Sequence, residues 1–238
     1  MPAYNPVTGI PIIDLPTAPS ATDANQNLVI ATPTGTGKVT KAAFLASQAN
    51  RKRVGEYHSP QVISEAAPAN TTPVQNTLRV YPFTPTSSYT IDAFQFEVAT
   101  TGGSTVTFGI YDSAIASGID APMPNALLAT STATTMTAGV YTVTLSPTVT
   151  LSEGMMYWVA LQTGAGISGA LRGFQANAVR PLLGHIPANG LTANRIGFSV
   201  SRTATNLPTP MGATLSGASN LADTNTPALY VKTASNIG

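Results

Sequence analysis

The chain contains no cysteine and only two histidines, His58 and His185, which lie far apart in the sequence. The absence of cysteine excludes disulfides, thiolate nucleophiles and thiolate metal sites. Two distant histidines disfavour a metal centre or a histidine-based triad, because each site needs several such groups brought together by the fold. The sequence therefore predicts a protein that is not an enzyme and that holds no metal or cofactor.

Charge is also scarce. The chain has 11 Lys and Arg against 10 Asp and Glu, so 9% of its 238 residues are charged, compared with about 25% in an ordinary soluble domain. A net charge of +1 gives no clustered basic surface for nucleic acid or an anionic membrane. No apolar run approaches the roughly 18 residues of a membrane span, and prolines interrupt the first thirty residues. We expect no nucleic-acid partner, no membrane insertion and no cleaved secretion leader.

What the chain has in abundance favours β-structure. Thr, Ala, Gly, Ser, Val and Pro dominate, whereas Glu and Lys are few. From about residue 76, short runs of alternating apolar and polar residues are bounded by Gly, Pro and Ser, which is typical of an antiparallel β-sandwich. Within residues 90–99, Phe94, Phe96 and Val98 share one face, which we expect to face the core. The predicted strands are residues 77–81, 90–99, 105–111, 127–132, 140–145, 156–163, 170–175, 196–201 and 229–233.

The N-terminal part of the sequence has a different pattern of residues. Prolines recur through the first 20 residues, which predicts an extended arm over residues 1–37. Its apolar patches are too small for a core of their own, so we expect the arm to lie on another surface. In residues 38–49, Val39 and a series of alanines recur at the three-to-four spacing of a short helix. The predicted organisation is an arm with one helix over 1–53, a linker over 54–75 and a β-sandwich domain over 76–238.

Three motifs each have a functional and a structural interpretation. The stretch ATPTGTGKVT resembles a phosphate-binding loop, but Thr32 and Val39 occupy positions where that motif needs Gly and a hydroxyl residue, so we favour a glycine turn. The Arg51-Lys52-Arg53 cluster is weak as a phosphate site and fits a helix end or an inter-subunit pairing. Trp158 could stack on a sugar, but its alternation with Met156 and Ala160 favours the core.

Acidic residues are the remaining candidates for chemistry. Asp112, Asp120 and Glu153 could supply the paired carboxylates of a glycosidase, and the 112–120 stretch could supply oxygen ligands for calcium. Nothing in the sequence pairs these residues, and the spacing lacks the dense Asp, Asn and Gly pattern of a calcium loop. We expect each of them to serve a turn or a cap.

Two stretches resemble parts of bacteriophage tail fibres. Residues 12–46 are similar to the opening of many such proteins, and residues 91–158 resemble the distal β-sandwich of phage fibres and other virion appendages. The matching places in the first stretch are Leu15-Pro16, Leu28 to Ile30, Gly37 to Thr40 and Phe44-Leu45. Those in the second are Ile91-Asp92, Val106 to Asp112, Pro124 to Leu128, Ala138 to Val140 and Leu151 to Trp158.

The resemblance implies a bacteriophage virion structural protein, a short tail fibre or similar appendage. Such a protein would be a homotrimer with a jelly-roll-like tip, located on the virion and attached to other virion proteins of the tail, baseplate or capsid through its N-terminal arm. Host attachment through a surface polysaccharide would then involve exposed loops, for which residues 111–124 and 180–195 are candidates. The short linker keeps an alternative open, a capsid decoration, cement or head-fibre protein without receptor binding.

Overall fold

The computed structural model describes residues 27–32, 35–40, 52–60, 68–115, 122–174, 183, 195–211, 214, 218–222 and 225–236. The chain divides into two compact units, one formed by residues 1–51 with Gly238 and the other by residues 52–237. Over the described ranges the regular elements are β-strands, and no α-helix occurs. The same ranges contain no helix with the length and apolar character needed to cross a bilayer.

In the N-terminal unit, strand β1 (Asn27–Thr32) pairs antiparallel with β2 (Gly35–Thr40). The helix predicted from residue 38 is therefore wrong over its first three residues, which lie in β2. Gly35 and Gly37 are poor helix formers, and Val39 and Thr40 are β-branched. Because a helix that starts beside these residues would be costly to nucleate, the segment pairs with β1 instead. The rest of the predicted helix and residues 1–26 of the predicted arm lie outside the described residues.

The second unit is an antiparallel β-structure that confirms every strand predicted from residue 77 onward. Its strands are β3 (Tyr57–His58), β4 (Pro68–Thr71), β5 (Thr77–Phe83), β6 (Tyr89–Thr100), β7 (Thr105–Ile115), β8 (Pro122–Ser131), β9 (Thr134–Thr135), β10 (Gly139–Leu151), β11 (Tyr157–Thr163), β12 (Ala170–Phe174), β13 (Arg195–Ser201), β14 (Ser219–Ala222), β15 (Thr226–Pro227) and β16 (Tyr230–Asn236). Strands β3 and β4 lie within residues 54–75, the predicted linker. Residues 61–67 of that linker lie outside the described residues.

These strands form one strongly curled sheet, a half-barrel. In the described part of the chain the sheet has 14 strands, and its main path runs β14-β13-β5-β11-β7-β8-β10-β6-β12-β15, with β3, β4, β9 and β16 branching from it. Strand β10 joins the two halves of the path, because most of it pairs with β6 while Leu145 and Ser146 pair with β8. The position of this junction shapes the surface described below.

One face of the sheet carries the main hydrophobic core. Phe94, Phe96 and Val98 are buried in it as predicted. Tyr89 and Ile91 are buried in the same core, although simple alternation along β6 would place them on the face opposite to Phe94. A bulge accounts for this, because Lys232 of β16 lies opposite Ala93 and Thr233 lies opposite Ile91, which leaves Asp92 as the extra residue. A one-residue bulge moves the following side chains to the other face of a strand.

The opposite side of β5, β7 and β11 is covered as well. Trp158, Val80 and Tyr111 form a second cluster there with Leu207 and Met211, which follow β13. Every residue of β5 and of β11 is therefore buried. Burial on both faces makes this part of the sheet a rigid support for the strands beside it.

Candidate functional site

A groove opens where β8 and β10 separate. The two strands pair only at Leu145–Ser131 and Ser146–Thr130. Beyond that point β9 follows β7, with Thr134 opposite Val106, whereas the first part of β10 stays with β6. The space between them measures about 610 Å³, within the range of small-molecule sites. We call it the hydroxyl groove, and its lining is Thr130, Ser131, Thr132, Thr134, Tyr141, Thr142, Val143, Thr144 and Ser146.

One aromatic residue, Tyr141, is among the residues that line the groove. Tyr141 is half-buried and stacks on Phe96, with ring centroids 5.5 Å apart and planes 16° apart. Phe96 in turn contacts Phe108 at 4.6 Å, and Phe108 contacts Phe94 at 5.7 Å. This row of rings packs Tyr141 against the main core, on the face of β10 opposite to Thr144 and Ser146.

The groove hydroxyls fall into two groups. Ser131 Oγ accepts a hydrogen bond from the Phe108 backbone N–H and donates one to the Thr132 carbonyl, both at 3.0 Å, so its role is structural. The exposed side-chain hydroxyls of Thr132, Thr144 and Ser146 make no hydrogen bond to any residue that the structure describes. A hydroxyl both donates and accepts, so these three groups can meet a polar ligand in either sense.

A second, smaller groove adjoins the first. It measures about 310 Å³ and shares Thr130 and Ser131 with the hydroxyl groove. Asn206 lines it and is held by Arg202, which donates to the Asn206 carbonyl and, at 3.1 Å, to its Oδ1. Arg202 also donates to Gln162 Oε1 at 3.2 Å. The guanidinium is thus occupied by protein oxygens, and none of the described residues that line either groove is Asp, Glu, Lys or Arg.

A different kind of surface lies across β6, β12 and β16. Here Arg172 pairs with Glu97 at 3.3 Å and donates to Asn70 Oδ1 at 3.0 Å. The two groups line a cavity of about 140 Å³ together with Tyr230 and the exposed Val140. We call it the ion-pair patch. Its charged groups are already partnered, and it is much smaller than the hydroxyl groove.

The residues singled out in the sequence have structural roles where they are described. Trp158 is completely buried, donates from Nε1 to Ser113 Oγ at 3.2 Å and contacts the Phe198 ring at 5.7 Å, which confirms its place in the core. Asp112 Oδ1 accepts a 2.6 Å hydrogen bond from the Ala126 backbone N–H. Glu153 lies in an exposed turn after β10. Asp120 and His185 lie outside the described residues.

The N-terminal motifs are described only in part. Lys38 of the phosphate-loop-like stretch lies in β2 opposite Val29. Of the basic cluster, Lys52 and Arg53 are described, and the Lys52 carbonyl accepts a hydrogen bond from Asn236 Nδ2 at 2.6 Å. Arg51 lies outside the described residues.

The first candidate loop is largely not a loop. Residues 111–115 belong to β7 and 122–124 to β8, because this hairpin is longer than its alternation predicted. Tyr111 is fully buried and donates to the Pro208 carbonyl at 2.7 Å. Burial raises the pKa of Tyr111, an effect that Arg202 opposes. Residues 116–121, and of residues 180–195 all but Leu183 and the first residue of β13, lie outside the described residues.

Comparison with known proteins finds no matching family model, no matching curated protein and no matching solved structure. The resemblance to phage fibres therefore stays a prediction. Within the described ranges, no three His, Asp or Glu residues are grouped as a metal site would require. The hydroxyl groove was missed in the sequence, because alternating threonines indicate an ordinary strand as readily as a binding surface.

Proposed function

We propose that this chain is a structural protein of a bacteriophage virion, a short tail fibre or similar appendage that attaches to a host-surface polysaccharide. The observation that carries the proposal is the hydroxyl groove. It is open, and most of its described lining residues are serines and threonines. A surface of that chemistry suits a polyhydroxylated ligand, since a few oriented polar groups beside an apolar wall are typical of small-molecule sites.

The division of the chain supports the same function. The boundary between the two compact units falls at Arg51 and Lys52, close to the end of the proposed docking arm at residue 53. In this proposal residues 1–53 attach to other virion proteins, and the curled sheet is the jelly-roll-like tip that faces the host.

Assembly completes the proposal. A homotrimer would carry three grooves on one rigid body, so weak individual contacts would combine into strong attachment through their effective concentration. The low charge and the 43% hydrophobic content of the chain favour burial of further surface between subunits.

Two measurements on the purified full chain test the function. Sedimentation equilibrium is expected to give a mass of three times 24.4 kDa, and the protein is expected to bind purified envelope polysaccharide from bacteria that the phage infects. A monomer that binds none of these polysaccharides would refute the proposal. Antibody labelling spread over the head shell would instead favour a decoration or cement protein.

A further inference from the structure

We infer that Arg79 and Tyr81 form a buried site for a small oxyanion, a carboxylate or phosphate group. The inference goes beyond the proposed function, because it concerns β5 and β13 rather than the hydroxyl groove between β8 and β10. Three features carry it: a buried guanidinium without a carboxylate, a buried tyrosine hydroxyl without a hydrogen bond, and a cavity beside them.

Arg79 carries a charge that no described residue balances. Its side chain is buried, with 8% of the residue exposed, and its Nε has no hydrogen-bond partner. The two ion pairs among the described residues are Arg172–Glu97 and Lys232–Asp92, so Arg79 belongs to neither. An arginine keeps its proton at any pH at which a protein is folded, and a buried ion without a counter-charge is strongly destabilising. The guanidinium therefore needs an anion.

A second buried donor lies next to the first. Tyr81 follows Arg79 by two residues in β5, so the two side chains share a face of the sheet. The Tyr81 hydroxyl is buried and makes no hydrogen bond to any described residue. Burial raises the pKa of Tyr81, although the nearby Arg79 opposes the rise, so the hydroxyl keeps its proton. Two neighbouring donors thus lack an acceptor, and one anion can satisfy both.

The strands beside β5 give this site one apolar side and one polar side. Leu161 of β11 lies opposite Arg79 and is buried in the main core. On the other side, Ser199 of β13 lies opposite Arg79. Opposed residues of an antiparallel pair share a face, so the Ser199 hydroxyl is a further donor for an anion that arrives from the side of β13.

A cavity of about 340 Å³ lies beside these residues. Its described lining is Val74, Thr77, Ser199, Val200, Ser201 and Ser219. Thr77 pairs with Ser201, and Ser199 pairs with both Arg79 and Ser219, so the four hydroxyl residues share the face of Arg79. None of the described lining residues is acidic. An anion that enters this cavity therefore meets hydroxyl donors and the residues that flank the guanidinium.

The chemistry of the donors favours an oxyanion over a halide. A guanidinium presents its N–H groups as a planar fork, which matches two oxygens of a carboxylate or a phosphate. A phenol hydroxyl can donate to one of the same oxygens. Chloride offers a single acceptor atom and cannot pair with both prongs of the fork in this way. Acetate and phosphate are therefore expected to bind more tightly than chloride.

The test measures how anions stabilise the full chain against thermal unfolding. Sodium acetate, sodium phosphate and sodium chloride are titrated separately, at one pH and at matched ionic strengths. A ligand that binds only the folded protein raises the unfolding temperature as its concentration rises, whereas general salt effects act on every variant alike. Acetate and phosphate are expected to stabilise the wild type more than chloride does, and the stronger of the two identifies the preferred oxyanion.

Four variants locate the effect. Arg79→Met removes the charge at similar bulk, so it should abolish the anion-specific rise and, without added anion, be at least as stable as wild type. Arg79→Lys loses the planar fork and Tyr81→Phe loses the hydroxyl, so each should bind the anion severalfold more weakly. Arg172→Met is the matched control, because that guanidinium already pairs with Glu97, and it should respond to anions as wild type does.

The same anion response in wild type and Arg79→Met would overturn the inference. So would a response that only Arg172→Met loses, which would place the site in the ion-pair patch. If wild type is a trimer and Arg79→Met is not, the guanidinium pairs across a subunit contact and the inference fails. Because Tyr81→Phe removes a single hydroxyl, an anion response that it leaves unchanged counts against the site even if Arg79→Met does not fold. All these outcomes leave host attachment through the hydroxyl groove intact, since polysaccharide binding measures it separately.

Discussion

Two aromatic residues, Trp158 and Tyr141, lie on neighbouring parts of the same sheet and have different roles. The alternation of Trp158 with Met156 and Ala160 was sufficient to predict its burial. Tyr141 also alternates with inward residues, Val143 and Leu145, and it packs against the core as that pattern suggests. What the sequence could not indicate is that the sheet opens beside Tyr141, because that depends on where β8 leaves β10.

The hydrogen bond that the Asp112 carboxylate accepts is expected to stabilise the fold. Asp112 Oδ1 accepts from the partly buried Ala126 N–H at 2.6 Å and so ties β7 to β8. Asp112→Ala is expected to lower the free energy of unfolding by about 1–3 kcal/mol, because the N–H loses its partner. Asp112→Asn keeps an acceptor and should cost less. Urea unfolding measures both, with the exposed Glu153→Ala as a control expected to change stability by less than about 0.5 kcal/mol. Equal stability of Asp112→Ala and wild type would contradict the role given to this carboxylate.

At the scale of elements, two stretches of backbone approach each other closely where the end of β6 meets the start of β12. Ala170 lies opposite Thr100, and a Cβ on Gly169 would come within 2.4 Å of the Thr100 carbonyl oxygen and 2.7 Å of the Gly102 nitrogen. Both neighbours are backbone atoms, so neither can move without displacing a strand. A glycine is therefore required at this position.

Gly169→Ala is expected to destabilise the protein by about 3 kcal/mol, at the upper end for overpacking. Gly166→Ala is the control, since its φ of +71° strains an alanine but no atom lies within 4 Å of the added Cβ; it should cost about 1–2 kcal/mol. Urea unfolding gives both values, and hydrogen exchange should show faster exchange in β12 of Gly169→Ala. A smaller loss for Gly169→Ala than for Gly166→Ala would show that the strands separate easily.

The elements also show what sequence patterns can and cannot predict. Alternation located nine of the strands that follow residue 76, because a strand with one buried face needs that period. It failed at residues 38–40, where alanines farther along suggested a helix while Val39 and Thr40 pair with β1. It also missed β3, β4, β9, β14 and β15, which are too short to show a period. The bulge at Asp92 and the separation of β8 from β10 depend on contacts distant in sequence, so the hydroxyl groove could not be predicted.

At the scale of the whole molecule, buried tyrosines make stability sensitive to alkaline pH. Burial raises the pKa of Tyr81, with Arg79 opposing part of the effect, and burial raises the pKa of Tyr89 to about 12. An unfolded tyrosine ionises near pH 10. Above that pH the unfolded chain loses protons that the folded chain keeps, so the free energy of unfolding falls as pH rises.

For Tyr89 the expected slope between about pH 10 and 12 is about 1.4 kcal/mol per pH unit. Tyr81 is expected to change the stability in the same direction, with no contribution from either group below about pH 9. Urea unfolding at a series of pH values measures the slope. Tyr89→Phe should reduce the slope by one tyrosine's share and leave stability at pH 8 close to that of wild type. An unchanged slope in Tyr89→Phe would mean that this hydroxyl ionises as freely in the folded state as in the unfolded one.

The central claim, attachment to the host through the groove, is tested most directly by competition for adsorption. Susceptible bacteria are first saturated with purified protein and then mixed with phage particles that carry it. Wild-type protein and Tyr230→Ala are expected to block most adsorption, whereas the double variant Thr144→Val, Ser146→Ala at the same concentration should block clearly less of it. Undiminished adsorption after saturation with wild-type protein would contradict the claim.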